Sequence, residues 1–369
     1  MTIHTRYRRI IAAAVGALIA PMALVAVTAV QANAVPSQHK HEIYMYKVEK
    51  SLRLSGVGAD SMADSPSQWL SCNPFDYALD GMWSVKSVDQ YNPPVYDPDD
   101  DSGYPTTSTA GGLYNDKRDV WTLASYPDTS DGSKWNFRFD NRAYGDAQVK
   151  IFVTCIRHSV ESSNNHSHDV VVTPAFGSTF MTGHHAWTDR DYWDSSSTWF
   201  CAPDQYFVAP GFDFGPGYSP ENRMLASYPT NGGLSWAWEF ASNWSHPDQN
   251  VSFYGKCISR KTSLNGHRHG IGMKHLPGVN FSDWKEALIP QGDPKETQYS
   301  CDQDFAQLHG YKAMVGWYWL GNHWEHNWFL GMEPRPKTRA FYWWNWDASS
   351  AQVKFGALCI NSRTSNPLV

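Results

Sequence analysis

Three short stretches of the chain carry histidines one residue apart: "QHKHEIY" from Gln38, "NHSHDVV" from Asn165 and "NGHRHGIG" from Asn265. In an extended backbone, residues i and i+2 point to the same side. Each His-x-His therefore presents two imidazoles together. Imidazole nitrogen suits Zn, Fe, Ni and Cu, and six of them in one place would make an octahedral nitrogen cage. Whether these pairs do that depends on whether the rest of the chain brings them together.

The second histidine of each pair precedes the next cysteine by 31, 33 and 32 residues (His41 to Cys72, His168 to Cys201, His269 to Cys301). The second cysteine of each stretch ends an alternating run: "QVKIFVTC" (148–155), "QNVSFYGKC" (249–257) and "QVKFGALC" (352–359). Val149, Ile151 and Val153, then Val251, Phe253 and Gly255, then Val353, Phe355 and Ala357 fall on the cysteine's side of a half-buried strand. Upstream, "TLASYP" (122–127) nearly repeats as "MLASYP" (224–229), with "FLGMEP" (329–334) keeping the outline. An aromatic strand follows each: Trp135, Phe137, Phe139; Trp236, Trp238, Phe240; Phe341, Trp343. After the last cysteine of each stretch come "IRHSVES", "ISRKTS" and "INSRTS".

This periodicity divides the chain into units 35–155, 156–257 and 258–369, the first enlarged by an acidic, Gly- and Pro-rich insertion near 96–112. It pairs the six cysteines within units: Cys72 with Cys155, Cys201 with Cys257, Cys301 with Cys359. The fold expected is all-β, with three homologous units of about 90–115 residues, each with one disulfide, in a prism-like pseudo-three-fold arrangement. The alternative is three tandem β-sandwich domains, with the histidine pairs in linkers.

If the units surround one axis with the histidine-bearing strands nearest it, His39, His41, His166, His168, His267 and His269 form one metal site. Six nitrogens favour iron or nickel over zinc, which usually takes four ligands. A saturated ion has no open position and is structural rather than catalytic. The pattern resembles the His-x-His motifs at trimeric phage tail-fibre and spike tips, where three chains each give a pair to one octahedral iron. The resemblance covers about three residues per copy. It implies the same six histidines as ligands, here from one chain.

The first 34 residues read as a signal peptide. Arg6, Arg8 and Arg9 precede an apolar run from Ile10, and Ala32-Asn33-Ala34 suits cleavage. Cleavage removes three arginines and no acid from the formal −6, leaving about −9. With no basic run, nucleic acid is excluded as a partner, and no later segment is apolar enough to span a bilayer. Six cysteines in an exported chain favour disulfides.

Aromatics form 15% of the chain, with 18 Trp. In "GWYWLGNHW" (316–324) and "FYWWNW" (341–346) they are denser than alternation requires. Trp317, Trp319, Trp343, Trp344 and Trp346 are the candidate sugar-stacking rings. Weaker signals are the acidic loop "DPDDDSG" (97–103), which lacks the EF-hand glycine and glutamate, "GNHWEH" (321–326), and His184-His185. No nucleophile motif or phosphate loop occurs. The function expected is a secreted, non-enzymatic binder of an extracellular glycan or cell-surface ligand, with a structural divalent metal (Fe, Ni or Zn). The alternative is a secreted hydrolase acting on a polysaccharide or other polymer.

Overall fold

In a computed structural model of the chain, the described residues are 39–56, 66–89, 117–143, 145–161, 166–182, 191–193, 200–215, 223–241, 249–292, 294–302, 310–321, 327–335, 337–345 and 349–368. The signal peptide, the 96–112 insertion with its "DPDDDSG" loop, His184-His185, and residues 322–326 lie outside them. Gln38–Val369 forms one compact unit.

The protein is almost entirely β. Among the described residues, helical structure is limited to 3-10 turns at Lys117–Asp119, Asn231–Gly233 and Phe281–Asp283. No helix there is long and apolar enough to cross a membrane. With segments counted from one histidine pair to the next, so that each keeps the tail after its last cysteine, the first supplies β1 (Met45–Leu54), β2 (Gln68–Ser71), β3 (Tyr77–Val88), β4 (Val120–Pro127), β5 (Lys134–Asn141), β6 (Ala147–Ile156) and β7 (Ser159–Glu161). The second supplies β8 (Ser167–Asp169), β9 (Phe176–Thr182), β10 (Asp191–Trp193), β11 (Gln205–Asp213), β12 (Arg223–Thr230), β13 (Ser235–Ala241) and β14 (Gln249–Ser259). The third supplies β15 (Arg268–His269), β16 (Met273–Leu276), β17 (Lys285–Ile289), β18 (Lys295–Ser300), β19 (Tyr311–Leu320), β20 (Asn327–Pro334), β21 (Thr338–Asn345), β22 (Ala351–Asn361) and β23 (Pro367–Leu368).

Three large antiparallel sheets result, and each draws on two segments. Their orders are β1-β6-β3-β20-β21-β18, β2-β5-β4-β11-β14-β9 and β10-β13-β12-β19-β22-β16, with β17 also on β22. The joins are β3 with β20, β4 with β11, and β12 with β19. Sheets shared in this way leave no separate sandwich for each segment, so the tandem-domain alternative does not describe the chain.

The alternating runs face inward as their pattern requires. Val149, Ile151 and Val153, then Val251 and Phe253, then Val353, Phe355 and Ala357 are all buried, as are Trp135, Phe137, Phe139, Trp236, Trp238, Phe240, Phe341 and Trp343. Glycine makes room for two of the largest rings. Phe207 lies over Gly255 and Trp317 over Gly356, where a Cβ would overlap the ring. Disulfides join Cys72 to Cys155, Cys201 to Cys257 and Cys301 to Cys359, with Cα–Cα distances of 5.8, 5.6 and 6.0 Å. Each ties the chain before an inner strand (β3, β11, β19) to the strand paired with it, a constraint worth about 2–5 kcal/mol.

Candidate metal centre

All three histidine pairs show one burial pattern. The first histidine is half-buried, the middle residue (Lys40, Ser167, Arg268) is exposed, and the second is buried. His41, His168 and His269 are 0%, 1% and 0% exposed.

The backbone of each buried histidine is stitched to the residue five positions after a half-cystine of another segment. Val160 pairs with His168 across β7 and β8. The Thr262 amide donates to the His269 carbonyl at 2.9 Å, and the His269 amide donates to Thr262 Oγ1 at 3.0 Å. Thr364 treats His41 in the same way, its amide donating to the His41 carbonyl and its Oγ1 accepting from the His41 amide, both at 2.9 Å. The tail of the first segment thus holds the second pair, that of the second holds the third, and that of the third returns to the first. The last link closes over 323 residues of sequence.

The six rings meet at one point. Neighbouring centroids lie between 4.4 and 5.8 Å apart. Every ring has a neighbour contact with every other except one. The three pairs without such a contact are His39 with His168, His41 with His267, and His166 with His269. Three opposed pairs with all other vertices adjacent is the connectivity of an octahedron. The ligand-atom triads agree: His39/His166/His267, His39/His41/His269, His41/His166/His168 and His168/His267/His269 are four alternate faces, each vertex shared by two.

The distances are consistent with that geometry. His41 Nε2 lies 3.1 Å from His269 Nε2, and His267 Nε2 lies 3.0 Å from His269 Nε2. An octahedral edge is √2 times the bond length, so these edges imply metal–nitrogen bonds of about 2.1–2.2 Å, in the range of imidazole ligation. A tetrahedral site with bonds of about 2.05 Å would have edges of about 3.3 Å.

Ring orientation and charge suit ligation. His168 Nδ1 lies 3.1 Å from the Ser263 carbonyl and His269 Nδ1 lies 2.8 Å from the Ser365 carbonyl. A carbonyl only accepts, so each Nδ1 carries the proton and each Nε2 turns a lone pair to the centre. His168 Nε2 is buried there without a hydrogen-bond partner. Burial, and then the neighbouring imidazoles, pushes His41 down to about 4. His166, His267 and His269 are also lowered, first by burial, with the Ser365 carbonyl opposing the trend at His269. These rings are neutral at pH 7, which is the form that binds metal. Only histidines make up the candidate metal groups among the described residues.

The residues that orient the cage were not anticipated from the histidines. Ser263 and Ser365 supply the carbonyls just described, and their hydroxyls accept from the Asp169 and Gly270 amides at 2.8 Å. The signal was present in the recurring "TS" of "ISRKTS" and "INSRTS". The first segment has Val160-Glu161 at those positions, and His41 Nδ1 has no hydrogen-bond partner.

The tryptophans fall differently from expectation. Trp317, Trp319 and Trp343 are 0%, 8% and 0% exposed, so they offer no ring face to a sugar. The physical reason is that β19 lies between β12 and β22 and is covered on both faces, Tyr318 stacking on Phe329 while Trp317 packs on Trp284. Trp343 donates from Nε1 to Thr297 within the core. Trp344 is half-buried, with the Arg118 guanidinium 5.1 Å from its ring centre. Trp346 lies outside the described residues. No protein-family model matches the chain, and no curated protein resembles it in sequence.

Proposed function

We propose that this chain is an exported, non-enzymatic binding protein made of three homologous units around a pseudo-three-fold axis, closed at one end by a single structural transition-metal ion. One observation carries the reading: six imidazoles meet with octahedral connectivity, and His269 Nε2 lies 3.1 Å from His41 Nε2 and 3.0 Å from His267 Nε2. Six imidazole nitrogens in octahedral connectivity favour iron(II) or nickel(II) over zinc, which prefers four ligands. With every position filled by protein, the ion orders the fold and activates no water. The matched joins between segments support the three-unit reading, and three closed disulfides support an oxidising, extracellular setting. The ligand class is an extracellular glycan. Elemental analysis of untagged protein tests the centre. One Fe or Ni per chain is expected, lost in His168→Ala/His269→Ala. A wild-type content below a tenth of an ion per chain would overturn the reading.

A further inference from the structure

Beside the cage, where β1 and the chain just before it meet β19 and the end of β22, two cavities of about 590 and 270 Å3 share Lys312 in their walls. We propose that together they form a groove that binds an acidic oligosaccharide, a run of pyranose rings bearing carboxylate or sulfate.

Ring stacking, polar groups and charge support this together. Tyr44 is 52% exposed in the first cavity and Tyr46 lines the second, their ring centres 5.9 Å apart and tilted by 30°. A pair of tyrosines in that attitude is a platform for the apolar faces of successive sugars. Ser159, Asn361 and Ser362 line the first cavity with the amide and hydroxyl groups that sugar hydroxyls need.

The charge is local and cationic. Arg157 lies 5.0 Å over the Tyr44 ring, and neither it nor Lys312 has a carboxylate partner among the described residues. Other charges in the groove are already matched: Glu42 pairs with Arg363, Lys47 with Glu49, Arg335 with Glu296, and Arg339 with Asp80. Glu161 is the remaining acid in the lining of the first cavity, and Asp76 accepts from the Tyr46 hydroxyl at 2.7 Å. Two unpaired cations beside an aromatic platform select an anionic sugar over a neutral one. The formal charge of the whole chain is −6, so no net cationic field gathers polyanions and selectivity for them must come from local groups such as these.

The inference rests on the reading of the chain as a glycan binder and not on the metal. Titration calorimetry of the metal-replete full chain tests it, with oligogalacturonate and a heparin hexasaccharide as acidic probes, maltohexaose as the neutral one and a single-stranded oligonucleotide as a control. At least one acidic sugar should bind, more weakly as salt rises, while maltohexaose does not. Arg157→Ala/Lys312→Ala and Tyr44→Ala should each weaken binding at least tenfold with melting temperature and metal content unchanged. Maltohexaose binding without acidic sugars would keep the glycan reading and overturn this groove. No sugar binding would overturn both. Preference for the oligonucleotide, or unaltered binding by the double variant, would overturn the groove assignment.

Discussion

Removing the ion from the cage should cost the folded chain several degrees of thermal stability. An ion that binds only the native state stabilises it by RT ln(1 + [M]/Kd), about 4 kcal/mol when free metal exceeds Kd a thousandfold. Unfolding entropy of about 2.1 cal/mol/K per residue, over the roughly 330 residues of the compact unit, gives about 0.7 kcal/mol/K. The melting temperature should therefore fall by about 6 °C on stripping, and rise by about 2 °C for each tenfold increase in free metal. The three disulfides restrict the unfolded chain, lower that entropy and make the shift larger. Calorimetry of chelator-stripped protein titrated with nickel reads both numbers. Cobalt substitution reads the geometry, because six nitrogens around Co(II) give a pale visible spectrum and four give an intense blue one. His39→Ala, at a half-buried position, should keep the ion with a water in its place. His269→Ala should lose it, since that change also removes the anchor on Ser365. A melting temperature indifferent to metal, or an intense cobalt spectrum, would refute the six-ligand centre.

Three further outcomes follow from the core. His275 is buried with both ring nitrogens unpartnered, and burial, then Arg260, pushes it down to about 3. Between pH 6.5 and 3 the unfolded chain takes up a proton that the folded chain refuses, so this residue lowers stability by about 1.4 kcal/mol per pH unit on acidification. His275→Leu should remove about 4 °C of the melting-temperature loss between pH 7 and 4.5; identical acid limbs in calorimetry would contradict this. Trp343→Ala should cost about 3–5 kcal/mol in denaturant unfolding as a cavity-forming change. Arg339→Ala should cost about 3–5 kcal/mol by stranding the buried Asp80 carboxylate, while the double change Arg339→Met/Asp80→Leu should recover most of that. Urea titration of the three proteins separates a stranded charge from lost packing.

The cage was legible because its signal is local and repeated. An i, i+2 pair has one geometry in extended chain, and intervals of 31, 33 and 32 residues imply equivalent placement. The disulfide partners followed from the same spacing. The fate of the tryptophans was not legible, because alternation assumes one wet face per strand. Trp317 and Trp319 sit in β19, where strands from two segments meet in one sheet and Trp284 and Phe281 pack against them. Which segments share a sheet is a tertiary fact with no short-range sequence signature. The Thr-Ser steps after the second and third segments were visible as a repeat, and Thr262 on His269 is a local contact, but the other parts they play depend on partners 95, 323 and 96 residues away: Ser263 on His168, Thr364 on His41 and Ser365 on His269.

The position of the cage also has a thermodynamic rationale. Chain ends fray unless something ties them down. Here the first described residues of the compact unit, His39 to Ile43, and the last described strand, Pro367–Leu368, both lie at the cage. His41 bonds Thr364, the Ile43 amide donates to the Ser362 carbonyl, and β23 pairs with β15. The hydrogen bonds between His41 and Thr364 that close the ring span 323 residues and are the most costly of the three links in loop entropy. An ion bound by His39, His41, His267 and His269 at once would hold the two ends without relying on those few bonds. Hydrogen exchange should therefore slow on metal addition at the amides of His41, Ile43, Thr364 and Ser365 by tenfold or more, and hardly at all in the disulfide-tied β6 and β14. Equal slowing throughout the sheets would mean that the ion acts on global unfolding alone and that the ends are secured by their own hydrogen bonds.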